Sequence, residues 1–237
     1  MKFAKRKKYI TFSIEDMFEE MIYSQNDFSH TKKKSSDDVY TVSEFKLIFH
    51  YLLQHLDVRN IAILLMFVTG MRVGEVVALQ RSDIDLNSLS ISINKTERRY
   101  KNLNGKYELI ITRPKTNASY RTVYVPQNLK LVLSQLLSLS ADAEYLISED
   151  DKRLSANAIR MRLRKVCKKL GIKNKSPHKC RKTFASMLLD SEISKAVIID
   201  IMGHTDISTT EKHYHRDRDD EELKIEAINS LKEFFIA

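Results

Sequence analysis

The chain has 237 residues and carries 40 Lys and Arg against 31 Asp and Glu, a net charge of +9 and a pI near 9.4. Hydrophobic residues at 43% support a packed core and exclude a solvated polyelectrolyte, while 3 prolines and 5 glycines exclude collagen-like and linker-dominated chains and count against an all-β architecture. The basic balance makes nucleic acid the leading partner class.

Residues 1–38 read as a basic arm and linker. The start, with Lys2, Lys5, Arg6, Lys7 and Lys8, runs into acidic SIEDMFEEM rather than an apolar stretch, so no signal peptide is visible. Ser13 and Asp16 form a capping box for a short helix, and SHTKKKSSDD is a polar joint. From Tyr40 the character changes. Phe45, Ile48, Phe49, Leu52 and Leu53 recur at helical spacing. RNIAILLMFVTG is apolar nearly all round, which predicts a central buried helix too short to span a bilayer. It stops at Thr69-Gly70, and a second helix, MRVGEVVALQ, is expected at once.

The β region follows. SLSISIN alternates Leu89, Ile91 and Ile93 with serines, the period of a half-buried strand. A charged segment leads to Asn104-Gly105, which marks a hairpin, and YELIITRPKT and YRTVYVP read as two further strands. Helices resume with QNLKLVLSQLLSL and with SANAIRMRLRKVCKKLG, capped by Ser155 and terminated by Gly171. Ser176-Pro177 opens PHKCRKTFASMLLD, and ISKAVIIDIMG comes next. Ser208 and Glu211 form a capping box for a short helix holding Tyr214. The tail places Leu223, Ala227, Leu231 and Phe234 or Phe235 on one stripe. The expected fold class is α+β, mainly α-helical with a small three-stranded antiparallel sheet.

Charge is unevenly spread. Residues 216–237 hold four basic and seven acidic side chains, so the tail carries −3 and the rest +12. The run from Arg160 to Lys182 contains no acid, which favours a polyanion over a solvated helix face. Arg160, Arg162, Arg164, Lys165, Lys179 and Lys182 are the expected DNA contacts, with steep salt dependence through counterion release. Two cysteines, Cys167 and Cys180, make no disulfide framework and suit a reducing cytoplasm.

Four segments place polar groups where packing does not need them. Arg72, directly after the buried helix, either grips a phosphate in bidentate fashion or pairs with Glu75 one turn on. His178 and Arg181 share a helix face, so one can handle a proton while the other neutralises charge. His204 follows Gly203 and is either a capping residue or a site residue. Tyr214 stands between two histidines and is either a packing residue or a nucleophile. The spacings of zinc sites, P-loops and dinucleotide folds are missing, so no metal and no cofactor is expected.

Taken together, TGMRVGE (69–75), RPKTNASYRTVYVP (113–126), PHKCRKTFAS (177–186) and MGHTDISTTEKHYH (202–215) resemble the tyrosine recombinase, or phage integrase, family, in order and in spacing. Within it, the chain is more similar to phage and conjugative-transposon integrases than to chromosome-dimer resolvases. The resemblance implies that Arg72 and Arg181 clamp the scissile phosphate. It implies that Lys115 protonates the leaving 5′ oxygen, that His178 assists proton transfer and that His204 hydrogen-bonds the phosphate. Tyr214 would attack phosphorus, and Glu75 would orient the arginines. It further implies self-association into a tetramer on double-stranded DNA, and a catalytic domain at 39–215 between the arm and an amphipathic tail at 216–237. The tail would dock on a neighbouring protomer or pack on its own domain. Cys180, where leucine is usual, offers a site for oxidation. The N-terminal half of full-length members has no counterpart in 1–38, so a catalytic-domain fragment or truncated homologue is expected. Type IB topoisomerase-like relaxation and a catalytically idle DNA-binding factor are the alternatives.

Overall fold

The computed structural model describes residues 39–113, 120–191, 193–202, 225, 228–231 and 234. The expectations for the arm at 1–38, for Lys115, His204 and Tyr214, for the capping box at Ser208 and Glu211, and for most of the tail concern residues outside that set.

Helix α1 (Val42–Gln54) starts where Thr41 and Glu44 cap each other: the Thr41 hydroxyl accepts from the Glu44 N–H, and the Glu44 carboxylate accepts from the Thr41 N–H. Its inner face is Phe45, Ile48, Phe49 and Leu52. Helix α2 (Val58–Thr69) is capped by the Asp57 carboxylate at 2.7 Å from the Asn60 N–H, and every residue except Arg59 is buried. A helix apolar all round can only be stable with neighbours on all sides. It has them: α2 packs against α1, against α4 (Lys130–Leu139), and against α5 (Ala156–Lys169) and α6 (Pro177–Asp190).

The expected second helix is shorter than the sequence suggests. In MRVGEVVALQ only α3 (Val73–Val76) is helical, because the chain then turns to bury Val77, Ala78 and Leu79 together rather than on one helical stripe.

A three-stranded antiparallel sheet is present, but its membership differs from the expectation. The order is β1 (Ile84–Asp85), β2 (Ser90–Ile93), then β5 (Arg121–Tyr124). Ile91 and Ile93 are buried and Ser92 exposed, as the alternation implies. The strand expected in YELIITRPKT, β4 (Tyr107–Thr112), instead pairs with β3 (Thr96–Lys101) in a separate two-stranded ribbon. In the sequence, β3 shows only as a charged segment. The ribbon's far end is exposed on both strands, so nothing forces polar and apolar residues to alternate there. The turn signal holds: Gly105 adopts φ +76°, and the Asn102 side chain accepts from the N–H groups of Asn104 and Lys106. A short ladder, β6 (Ser148–Glu149) with β7 (Lys152–Arg153), precedes α5.

Helix α6 begins at Ser176-Pro177 as expected, and α7 (Lys195–Met202) packs on α6 and β5. Of the tail's apolar stripe, Leu231 is buried in the domain's own core, as are Ile228 and Phe234. The Phe234 ring lies 6.1 Å from Phe45 and 5.8 Å from Phe49, and the Asn128 amide donates to the Phe234 carbonyl at 2.6 Å. This is packing in cis for those residues; Leu223, Ala227 and Phe235 lie outside the described set. No described helix is long and apolar enough to cross a membrane.

Candidate active site

The site is built at the C-terminal end of α2. Gly70 closes the helix in the left-handed region at φ +64°, and a Cβ there would sit 2.6 Å from Phe184 Cδ1. Both the turn and the close approach of α6 therefore require glycine. The chain leaves the turn extended at Arg72 and enters α3. A Cβ on Gly74 would lie 2.8 Å from Thr96 Oγ1, so the same short helix seats the root of the β3–β4 ribbon.

Glu75, 4% exposed, is the hub. Its Oε1 accepts from Arg72 Nη1 at 2.8 Å and from Arg121 Nη1 at 3.3 Å. Its Oε2 accepts from the Arg72 backbone N–H at 2.8 Å and from Arg121 Nη2 at 3.0 Å. Burial alone would raise this carboxyl's pKa, but Arg121 by charge and hydrogen bond, and then Arg72, outweigh it and hold the group below its usual range. Both readings of Arg72 thus survive: it pairs with Glu75, and 42% of its side chain remains exposed.

Arg181 is 2% exposed and, among the described residues, is met by carbonyls rather than by a carboxylate. Its Nη1 donates to the Gly70 carbonyl at 2.5 Å and its Nη2 to the Met202 carbonyl. Burial, with Arg121 and Arg72 nearby, draws its pKa down to about 9, so it stays cationic at neutral pH. His178, three residues earlier on α6, has its pKa lowered by burial and then by Arg181, Lys182, Lys179 and Arg72. These neighbours favour its uncharged ring. The structure therefore brings Arg72, Glu75, His178 and Arg181 into one electrostatic neighbourhood. Lys115 falls between β4 and β5, and His204 follows two residues after the carbonyl that Arg181 holds; both, with Tyr214, are outside the described residues.

Sequence reasoning misses Arg121. The available signal is its place in YRTVYVP: it shares a strand face with Val123, which is buried, and an arginine on an inward face needs a buried partner.

The basic run separates into two kinds of residue. On α5, Ile159, Leu163, Val166 and Cys167 face the core, leaving Arg160, Arg164 and Lys165 exposed. Arg162 differs. Its Nη2 donates to the Asp57 carboxylate at 2.5 Å and its Nε to Asn60 Oδ1 at 2.8 Å, so this guanidinium is held inside the chain, joining α5 to the start of α2. On α6, Lys182 is exposed and Lys179 half-buried. Cys180 does not suit the oxidation suggested for it: it is fully buried, and burial pushes its thiol well above the usual pKa, which suppresses the reactive thiolate.

Two guanidinium groups share one carboxylate and a third, Arg181, lies nearby on carbonyls, so among the described residues the cluster has more positive than negative charge, at a place where Arg72 reaches solvent. Such a cluster suits an anionic ligand with several oxygens, of which a phosphodiester is the form matched to a basic chain.

The sequence pattern of the phage integrase family matches residues 39–221. The chain is 30% identical over 157 residues to tyrosine recombinase XerA of Thermococcus kodakarensis, covering 64% of this chain and 49% of that protein. It is 28% identical over 187 residues to tyrosine recombinase XerD of Rickettsia bellii, covering 75% of this chain and 59% of that protein. The chain thus spans about half the length of the curated relatives it matches. The fold is shared with the Tn1549 transposon integrase, solved in complex with transposon right end DNA, at a TM-score of 0.65 and 18% identity over 93% of this chain and 81% of that one.

Proposed function

The chain belongs to the phage integrase family, and from that premise we propose that it supplies the catalytic part of a site-specific DNA recombinase, serving integration or excision of a mobile element in the cytoplasm. The observation that carries this reading is the cation-rich cluster in which Arg72 and Arg121 share the Glu75 carboxylate and Arg181 lies nearby. The catalytic unit is assigned to 39–215.

Arg72 and Arg181 bind the non-bridging oxygens of the scissile phosphate. A phosphodiester repels an anionic nucleophile until its charge is neutralised, and prepositioned guanidinium groups provide that neutralisation without reorganisation. Tyr214 attacks phosphorus, forming a 3′-phosphotyrosyl bond as the phosphorus–5′ oxygen bond breaks. Lys115 gives its proton to the departing 5′ oxygen. His204 hydrogen-bonds the phosphate as charge builds, and His178, whose neighbours favour the uncharged ring before DNA arrives, takes part in proton transfer. The 5′-hydroxyl of a second strand then attacks the phosphotyrosyl bond, so the linkage is conserved through covalent capture. Exposed Arg160, Arg164, Lys165 and Lys182 contact the flanking backbone. Exchange between two duplexes uses four protomers. The tail side chains Ile228, Leu231 and Phe234 are engaged in cis, so contact between protomers falls to other residues of the tail or to other surfaces.

The test is covalent capture. Nicked duplexes tiled across the DNA flanking the chain's own gene are mixed with the protein and denatured. A DNA-linked species is expected with the unaltered chain and none with Tyr214→Phe; an adduct that persists in Tyr214→Phe removes Tyr214 as nucleophile. Lys115→Ala slows cleavage, and a 5′-thio leaving group, which needs no proton, restores it.

A further inference from the structure

We infer that Arg121 is a positioning residue of the phosphate site: it neutralises and holds Glu75 so that the charge of Arg72 stays available to the substrate. This rests on the reading given under Proposed function and adds a residue to it. Glu75 carries one negative charge and two guanidinium partners, and the two partners are not equivalent. Arg121 is nearly sealed off, with 5% of its side chain exposed, and makes a two-pronged contact, one prong to each carboxylate oxygen. Arg72 gives Glu75 only one side-chain donor, Nη1, and is 42% exposed. The buried partner therefore completes the ion pair, and the exposed one is the cation in excess. Without Arg121 the carboxylate would fall to Arg72, 2.8 Å away, and the same guanidinium would have to serve both Glu75 and the phosphate.

The placement of Arg121 adds a second consequence. It is the first residue of β5, paired with Ile93 of β2. The Arg121–Glu75 contact thus ties the start of β5, six positions after Lys115 in the sequence, to α3, whose N-cap is Arg72. Arg121 Nε is buried with no hydrogen-bond partner among the described residues, which marks an arginine retained for its charge and its two Nη donors rather than for full satisfaction of its side chain.

The experiment compares Arg121→Gln, Arg121→Lys and the double variant Arg121→Gln/Glu75→Gln. The first readout is binding of inorganic phosphate, followed by the ring resonances of His178; the second is single-turnover covalent capture of the nicked duplex that the unaltered chain captures best. Arg121→Gln is expected to raise the half-saturating phosphate concentration about tenfold, equivalent to about 1.4 kcal/mol, and to slow capture by a factor of about 100. Arg121→Lys keeps the charge without the fork and should fall between. The double variant removes the unpaired carboxylate along with its partner and is expected to recover phosphate binding and part of the capture rate. Thermal unfolding is followed alongside. A structural role alone would make the double variant no better than Arg121→Gln, and that result overturns the inference. So does Arg121→Gln with unaltered phosphate affinity. If no variant, including the unaltered chain, captures DNA while the phosphate data behave as stated, the recombinase reading fails and the positioning role stands.

Discussion

The chain keeps two populations of arginine, and they differ in nearly everything except chemistry. Those at the end of α2 are fixed by the fold: Arg181 by two carbonyls, Arg121 by a buried carboxylate. Those on the outer face of α5 stand in solvent, where Arg160 reaches back one turn to the Asn157 side chain. The first population supplies oriented charge at one point, and the second supplies diffuse charge over an area. A catalytic site needs the first and backbone binding needs the second, because only prepositioned donors stabilise charge as it develops. Arg162 crosses the division, with the sequence context of the second group and the bonding of the first.

The largest effect is expected from Arg181→Ala. It strips the Gly70 and Met202 carbonyls of their donor, which costs about 1–3 kcal/mol for each group left unsatisfied, read as a lower urea midpoint. Covalent capture should fall by a factor of about 1,000 or more. Gly70→Ala attacks the same cluster through its frame. It forces Phe184 away and strains a left-handed residue, at roughly 1–3 kcal/mol in urea titration, without touching a charge. The outer face should behave in the opposite way. Replacing Arg160, Arg164 and Lys165 with alanine should leave stability, from the urea midpoint, within about 0.5 kcal/mol of its starting value. The slope of log K against log salt for duplex binding should shrink by about 0.9 for each phosphate no longer neutralised. Arg162→Ala should reverse that pattern, lowering stability by up to about 1 kcal/mol while sparing the salt slope; a slope that falls with Arg162 would erase the distinction.

The smallest effect is a titration. The neighbouring cations favour uncharged His178, so its midpoint in the free protein is expected below 6.5, and added phosphate or duplex should raise it by supplying negative charge. The sign for stability follows. A histidine whose folded pKa is depressed binds fewer protons folded than unfolded near pH 6.5, so its contribution declines as pH falls through that value. NMR of the ring and urea midpoints between pH 7.5 and about 5.5 check both statements.

Most of the helices could be read from spacing and caps, because Thr41, Asp57, Ser155 and Ser176 flank runs whose apolar residues face one core. In the ribbon the turn and Tyr107–Thr112 could be read but the partner strand Thr96–Lys101 could not, since that pairing is set by partners and not by a buried face. Motif residues Arg72, Glu75, His178 and Arg181 were legible as a set. Arg121 and the internal pairing of Arg162 were not, because each depends on a residue 46 or 105 positions away. Local sequence cannot state which of several cations a distant carboxylate will take.

Phe234 has a consequence for how the domain is made. It fits against the rings of Phe45 and Phe49 in α1, although it lies 189 and 185 positions later in the sequence. During synthesis, those two rings must wait for nearly all of the intervening polypeptide to be made before their final neighbour leaves the ribosome. The domain is therefore expected to complete its folding late rather than progressively from α1 onward, and a released chain ending just short of Phe234 should be more sensitive to protease than the full chain.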